Sequence, residues 1–315
     1  MKAVVYNKKL PGRLEFTSVD KPVAGEGELL VKVVACSVNA ADYRSMQLGI
    51  IPKRRIFGAD VSGRVEAVGK SVTQFKPGDE VLGDLASYDF GGFAEYVAAS
   101  EKAWMLKPAL LSFEDAASLP MAGVTALQAL RNKGKISQGQ KVLVAGSGGG
   151  VGTMAIQLAR HFGAEVTAVC STKNVEQSKM LGAAEVIDYT KTDFTRTSQR
   201  YDLILAVNGN RGPAAYRRIL APGGILVVVG GTLKQIFGAM LTGWLFSLGK
   251  RKIVTLAAKP NQTDLAFIAG LTAEGKIKPV TDSRYPLEKT AEAMQYAKKG
   301  HARGKVIINV ERQNK

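Results

Sequence analysis

Lys141-Val142-Leu143-Val144-Ala145-Gly146-Ser147-Gly148-Gly149-Gly150-Val151-Gly152-Thr153-Met154-Ala155-Ile156-Gln157-Leu158-Ala159-Arg160 decides the reading of this chain. An apolar run fit for a buried strand enters four glycines within five residues, and an amphipathic helical pattern follows. A dinucleotide phosphate requires that order. One glycine lets the backbone approach the pyrophosphate, another lets helix and strand pack closely, and the helix N-terminus offers N–H groups with no partner of their own. Gly149 is expected in the first role and Gly152 in the second. Ser147 stands where a literal G-x-G-x-x-G would have its first glycine, so placement between strand and helix carries the motif.

Outward from this turn, short apolar runs alternate with helical patterns. Strands are expected at 141–145, 165–170, 185–187, 203–207, 225–229 and 253–256, and helices at 153–162, 174–181, 213–220 and 263–274. That alternation predicts βαβ units and a parallel sheet. Upstream the character is β-rich. Leu29-Leu30-Val31-Lys32-Val33-Val34-Ala35 reads as a buried strand, and Val61-Ser62-Gly63-Arg64-Val65-Glu66-Ala67-Val68-Gly69 alternates as a half-exposed one. Lys76-Pro77-Gly78-Asp79 has the residue preferences of a type II turn. Gly304-Lys305-Val306-Ile307-Ile308-Asn309-Val310 is a last strand, most simply returned to the first domain. The expected organisation is an α/β chain with a discontinuous β-rich domain, 1–118 and 285–315. A dinucleotide-binding domain, 119–284, is inserted into it.

The chain has 315 residues, 46% of them hydrophobic, and a net charge of +16. Its basic clusters, such as Lys53-Arg54-Arg55, Arg217-Arg218, Lys250-Arg251-Lys252 and Lys298-Lys299, suit phosphate-bearing cofactors, anionic membranes or a plain soluble surface. Only 7% of residues are aromatic and none interleave with the basic clusters, so nucleic acid is not expected as a partner. Cys36 and Cys170 are the only cysteines, too few for a disulfide framework. No secretory signal is read at the N-terminus, and the cytoplasm is the expected compartment. The apolar run 236–248, followed by basic 250–252, is too short to span a bilayer. Three readings stay open for 236–252: a buried or dimer-contact element, a hydrophobic substrate entrance, or a peripheral contact with an anionic membrane. A homodimer is expected.

Gly146-Ser147-Gly148-Gly149-Gly150-Val151-Gly152 is similar to the Gly-Ala-Ser-Gly-Gly-Val-Gly turn of quinone oxidoreductases, the zeta-crystallin-like branch of the medium-chain dehydrogenase/reductase superfamily. The resemblance covers nearly the whole chain. Ser37-Val38-Asn39-Ala40-Ala41-Asp42-Tyr43-Arg44 resembles the family's N-x-x-D segment, and Gly58-Ala59-Asp60-Val61-Ser62-Gly63 its next block. Leu119-Pro120-Met121-Ala122-Gly123-Val124-Thr125-Ala126 resembles its domain-crossing helix, and Gly300-His301-Ala302-Arg303-Gly304-Lys305-Val306 its C-terminal signature. The resemblance implies a GroES-like β-rich catalytic domain and a doubly wound Rossmann domain of six parallel strands, with hydride delivered into a cleft between them.

Zinc enzymes of the superfamily carry a cysteine where this chain has Asn39 and a histidine-glutamate pair at Ala59-Asp60. Neither histidine, His161 or His301, has ligand spacing to a cysteine. No metal site is therefore expected. Without a Lewis acid, quinones and enones are the easier acceptors, because conjugation spreads the charge that arrives with the hydride. A quinone reductase is the main expectation and an α,β-unsaturated carbonyl reductase the alternative. An NADPH-binding structural or nucleic-acid-binding protein with little turnover is the rival from another class. Asn39, Asp42, Tyr43 and Arg44 are the candidates at the nicotinamide end. Tyr43 and Arg44 read equally well as rim residues, and relatives carry a tyrosine where this chain has Ile50.

NAD enzymes usually end the second strand on an acid that accepts from the ribose 2′-hydroxyl. Here Ala168-Val169-Cys170-Ser171-Thr172-Lys173 offers no carboxylate, and Ser171, Thr172 and Lys173 suit a 2′-phosphate, so NADPH is the expected cofactor. Further expected contacts are Thr125, Ser147, Gly148, Gly150, Val151, Tyr189, Val207, Gly230 and Gly231. Cys170 reads as a packing residue and His161 as a helix-surface one.

Overall fold

The structure is a computed structural model that describes residues 1–10, 12–207, 211–230 and 251–311. Two compact units emerge: Met1–Met121 with Pro260–Lys315, and Ala122–Lys259.

The first segment carries β1 (Lys2–Tyr6), β2 (Leu14–Ser18), β3 (Glu28–Val38), β4 (Asp60–Val68), β5 (Glu80–Asp84), β6 (Tyr96–Ser100) and β7 (Trp104–Leu106). A short helix, α1 (Ala40–Gln47), leaves the end of β3, and α2 (Phe113–Ser118) follows the strands. Ser112 caps α2 by accepting the Asp115 N–H at 3.0 Å. The Lys76–Asp79 turn forms as its residues predict, with Gly78 at φ +95°.

The chain crosses to the second unit within α3 (Pro120–Leu127). There it builds β8 (Lys141–Ala145), α4 (Gly150–His161), β9 (Glu165–Cys170), α5 (Val175–Met180), β10 (Glu185–Asp188), β11 (Tyr201–Val207), α6 (Pro213–Ile219), β12 (Leu220–Val229) and β13 (Lys252–Leu256). These six strands form one parallel sheet in the order β10-β9-β8-β11-β12-β13. This is the doubly wound Rossmann arrangement. Val142, Leu143 and Val144 of central β8 are fully buried, which explains a continuous apolar run in place of alternation.

Helix α4 starts at Gly150, earlier than the pattern at 153 suggests. Glycine's poor helix propensity hides the first turn from sequence reading. Helix α3 runs into a π-helical turn, Gln128–Lys133, which had no sequence signal. The Gln128 amide donates to the Lys259 carbonyl at 2.9 Å and accepts the Lys259 N–H at 3.1 Å. A side chain thus does there what a neighbouring strand would do.

Back in the first unit, α7 (Gln262–Ala273), β14 (Thr281–Pro286), α8 (Thr290–Lys298) and β15 (Lys305–Asn309) complete a GroES-like β-rich domain. Its larger sheet runs β14-β15-β3-β4-β5-β7, with β6 also on β3. The core gathers Leu29, Phe57, Leu85, Phe93 and Trp104, all sealed from solvent. At one end of this sheet four neighbouring strands carry polar residues side by side. Ser37 of β3 lies opposite Asp60 of β4, Asp60 opposite Asp84 of β5, and Lys305 opens β15 one position beyond the Val306–Val38 pair.

Candidate functional site

In the second unit the glycine turn leaves β8 under tight constraint. Gly146 has φ +86°, and a Cβ there would overlap the Val207 carbonyl oxygen. The N–H groups of Gly146 and Ser147 both donate to the Val169 carbonyl, at 3.0 and 3.1 Å. The Ser147 hydroxyl turns inward as well, to Val169 O at 3.2 Å and Ser178 Oγ at 3.3 Å. Ser147 therefore braces the turn from beneath. A Cβ on Gly148 would come within 2.7 Å of Asn174 Cγ, and one on Gly152 within 2.6 Å of Ser147 Cα.

Gly149 is different. It caps α4 in extended backbone, φ −90° and ψ 177°, and among the described residues a Cβ there would meet no neighbouring element within 4 Å. The open space lies in front of the first turn of α4, where Gly150, Val151 and Gly152 present N–H groups that a helix cannot satisfy internally. An anion seated there would face the positive end of the helix dipole. The turn fits a dinucleotide pyrophosphate: closed behind, open in front, and lined by donors.

At the end of β9, Ser171 is half-buried, while Thr172 and Lys173 are exposed. The Thr172 hydroxyl donates to Asp188 Oδ2 at 2.6 Å. Asp188 ends β10 opposite Cys170, so a carboxylate does stand beside the second strand's end, supplied by the third strand. Hydrogen bonds from the Thr172 and Thr190 hydroxyls hold its carboxyl below the usual range. Sequence reading searched only the second strand and missed it. The β10-β9 adjacency of a doubly wound sheet was the available signal. Tyr189 is well exposed and its N–H donates to the Cys170 carbonyl at 3.0 Å. Cys170 itself is buried and in no disulfide, and His161 is exposed at the end of α4. Thr125 and Val207 are buried, and Gly230 follows β12 at φ +68°. Gly231 and the 236–248 segment lie outside the described residues. Of the basic flank, the Arg251 guanidinium donates to the Leu220 carbonyl at 3.0 Å.

In the first unit, Asn39 caps α1. The Asp42 carboxylate accepts the Asn39 N–H at 2.7 Å and the Gly58 N–H at 3.0 Å from a fully buried position. Asp42 thus clamps two loops together. Burial pushes its carboxyl up to about 7. Tyr43 is half-buried against the core, and burial raises its hydroxyl. Arg44 is also half-buried, and Ile50 is exposed.

Beneath Asn39 lies a group that sequence reading did not single out. The Lys305 ammonium donates to Asn39 Oδ1 at 2.6 Å and to Asp60 Oδ2 at 3.2 Å. Asp60 also accepts the Ser37 hydroxyl at 3.1 Å and the Met121 N–H at 3.0 Å. Across the sheet Asp84 accepts the Ala86 N–H at 2.9 Å, and burial, then the Asp60 charge, push its carboxyl up to about 7. Lysine within an apolar C-terminal strand was the clue. Among the described residues, no group of three or more His, Cys, Asp or Glu side chains is arranged to hold a metal ion. Nor is any helix among them long and apolar enough to cross a membrane.

Residues 25–109 match the alcohol dehydrogenase GroES-like domain family, and residues 181–308 a family described as zinc-binding dehydrogenase. The chain is 33% identical to a chloroplastic quinone oxidoreductase of Triphysaria versicolor, covering 98% of both chains. It is 34% identical to a chloroplastic NADPH-dependent alkenal/one oxidoreductase of Arabidopsis thaliana, covering 98% of this chain and 79% of that one. The solved quinone oxidoreductase of Coxiella burnetii superposes with a TM-score of 0.88 at 31% identity, covering 99% of each chain.

Proposed function

We propose that this chain, which belongs to the quinone oxidoreductases of the medium-chain dehydrogenase/reductase superfamily, uses NADPH to reduce quinones or similar conjugated carbonyl compounds without zinc. The observation that carries the reading is the open space in front of Gly149, set against the closed space behind Gly146, Gly148 and Gly152. A phosphate needs the first, and a tight strand-turn-helix needs the second. The unit Ala122–Lys259, which lies within the expected 119–284 domain, binds the dinucleotide in this proposal, and the β-rich unit forms the acceptor side.

Bound NADPH supplies the hydride. The chain's own residues orient the acceptor, and a proton from water completes the reduction. Asn39, with Tyr43 and Arg44 on the same helix, faces the acceptor, while Asp42 holds the loop that carries them. Asn39, Ala59 and Asp60 are a poor zinc donor set, since an amide and a methyl group do not bind zinc as thiolate and imidazole do. The alkenal/one oxidoreductase activity of the Arabidopsis relative favours enones as a second acceptor class. A homodimer in the cytoplasm is part of the same proposal.

Steady-state assays with NADPH against quinones, enones and simple alcohols test it. Turnover is expected on the conjugated acceptors, unchanged after dialysis against a chelator. Turnover confined to simple alcohols, or lost on chelation and restored by zinc, overturns it.

The same proposal assigns Ser171 and Lys173 to the 2′-phosphate, with NADPH bound at least about tenfold more tightly than NADH. Lys173→Glu is expected to narrow or invert that ratio. Asp188→Asn, which removes the nearby carboxylate, is expected to widen it. Equal affinities of the unmodified protein for both cofactors, measured by fluorescence titration, count against the assignment.

A further inference from the structure

We propose that Lys305 is a positioning residue for the reduction: its buried ammonium fixes the Asn39 amide and keeps a positive charge beneath it, where negative charge builds on the acceptor's carbonyl oxygen. The inference rests on the hydride-transfer reading above.

Four observations carry it. Lys305 is only 4% exposed, and a buried ion pair is a costly way to stabilise a sheet, so its retention asks for another role. The shorter of the two contacts goes to the Asn39 carbonyl oxygen, at 2.6 Å, and the longer one to the Asp60 carboxylate, at 3.2 Å. Asp60 already accepts the Ser37 hydroxyl and the Met121 N–H, so its lone pairs do not depend on the lysine alone. Of the residues bonded to Lys305 or Asp60 through their side chains, Asn39 is the most exposed, at 8% against none for Ser37 and Asp60.

The consequence for Asn39 is specific. With Oδ1 held by an ammonium, the amide cannot flip. Its Nδ2 donates one hydrogen to the Ser37 carbonyl at 3.1 Å. The other has no partner among the described residues. A cation on the oxygen side polarises the amide and strengthens that remaining N–H as a donor. Lys305 pairs with Asp60 at 3.2 Å, and its charge acts against the burial that raises the carboxyls of Asp42 and Asp84. Gly304, at φ +125°, turns the chain so that β15 starts with this side chain facing inward.

Two variants break the link from either end. Lys305→Gln with Asp60→Asn removes both charges together and keeps hydrogen-bonding groups, so no lone charge is buried. Asn39→Ser is too short to reach the ammonium. Each is expected to lower kcat on an enone at least about tenfold, and kcat on a quinone by less, because the quinone spreads its charge more widely. KM, NADPH affinity and melting temperature should change little, and Lys305→Arg should recover most of kcat. A readout independent of turnover is the binding of 4-nitrophenolate, an oxyanion probe, against neutral 4-nitroanisole. Both variants are expected to weaken the phenolate at least about fivefold and leave the anisole unchanged.

Native kcat and native phenolate binding in the variants overturn the proposal, as does equal loss on both acceptors with weakened NADPH binding. So does failure of the unmodified protein to bind phenolate. If the double variant does not fold, Asn39→Ser decides by the same criteria. An unmodified protein that binds phenolate but reduces no acceptor refutes the reductase reading alone.

Discussion

Gly149→Val is expected to bind NADPH at least about thirtyfold more weakly, a loss of about 2 kcal/mol, while melting close to the native temperature. The valine Cβ enters space that no neighbouring element among the described residues reaches within 4 Å, and the backbone at φ −90° accepts a β-branched residue. In the proposed function the phosphate takes that volume. Gly152→Val, three positions on, should do the reverse. Its Cβ would press on Gly146 O and Ser147 Cα, backbone atoms that cannot rotate aside. A loss of about 3 kcal/mol or more in stability is expected, with the cofactor site spoiled only as a consequence. Cofactor titration and thermal melting on both variants check the pair. A folded Gly149→Val that binds NADPH normally would remove the glycine turn from the cofactor site.

Stability itself should fall as pH rises from about 4 to about 7. Burial, the leading cause for both, pushes Asp42 and Asp84 up to about 7 from an ordinary value of 3.8. Through that window the unfolded chain has released these protons and the folded chain still holds them. Unfolding therefore releases protons and is favoured by higher pH. Below the window both states are protonated, and above it both are ionised, so the slope vanishes at either end. At 1.36 kcal/mol per unit, each group accounts for a change on the order of 4 kcal/mol. Urea unfolding at intervals from pH 4.5 to 8 measures it. Asp84→Asn should remove a large part of the slope, since an amide still accepts the single Ala86 N–H that Asp84 holds. Asp42 lacks so clean a substitute because it accepts on both oxygens. A stability profile that is flat or rising between pH 5 and 7 would contradict the burial of these two protons.

The parallel sheet was legible because its central strands are sealed on both faces and so read as unbroken apolar runs, Val142-Leu143-Val144 above all. The glycine turn was legible because few other tasks need so many glycines between strand and helix. What escaped sequence reading depends on neighbours distant along the chain. Asp188 stands beside Thr172 only because β10 lies against β9. Lys305 meets Asn39 and Asp60 only because β15 pairs with β3 and β3 with β4. Local periodicity carries no record of which strands become neighbours. The inward turn of the Ser147 hydroxyl escaped for another reason, since it follows from backbone torsion rather than residue type.

Pairing of β15 with β3 also sets an order of events during synthesis. Ala122–Lys259 is one continuous piece and can collapse as it leaves the ribosome. The β-rich unit has no such option. Its first seven strands emerge early, yet the stretch of β3 from Ala35 to Val38 meets its partner only when 306–309 has been made, about 270 residues later. At bacterial or eukaryotic elongation rates that is some tens of seconds with an open strand edge facing the crowded cell. Strand β15 therefore acts as the closing stitch of a sheet whose other strands are mostly made within the first hundred or so residues, and a nascent chain cut short of β15 leaves the ribosome with that edge still uncovered.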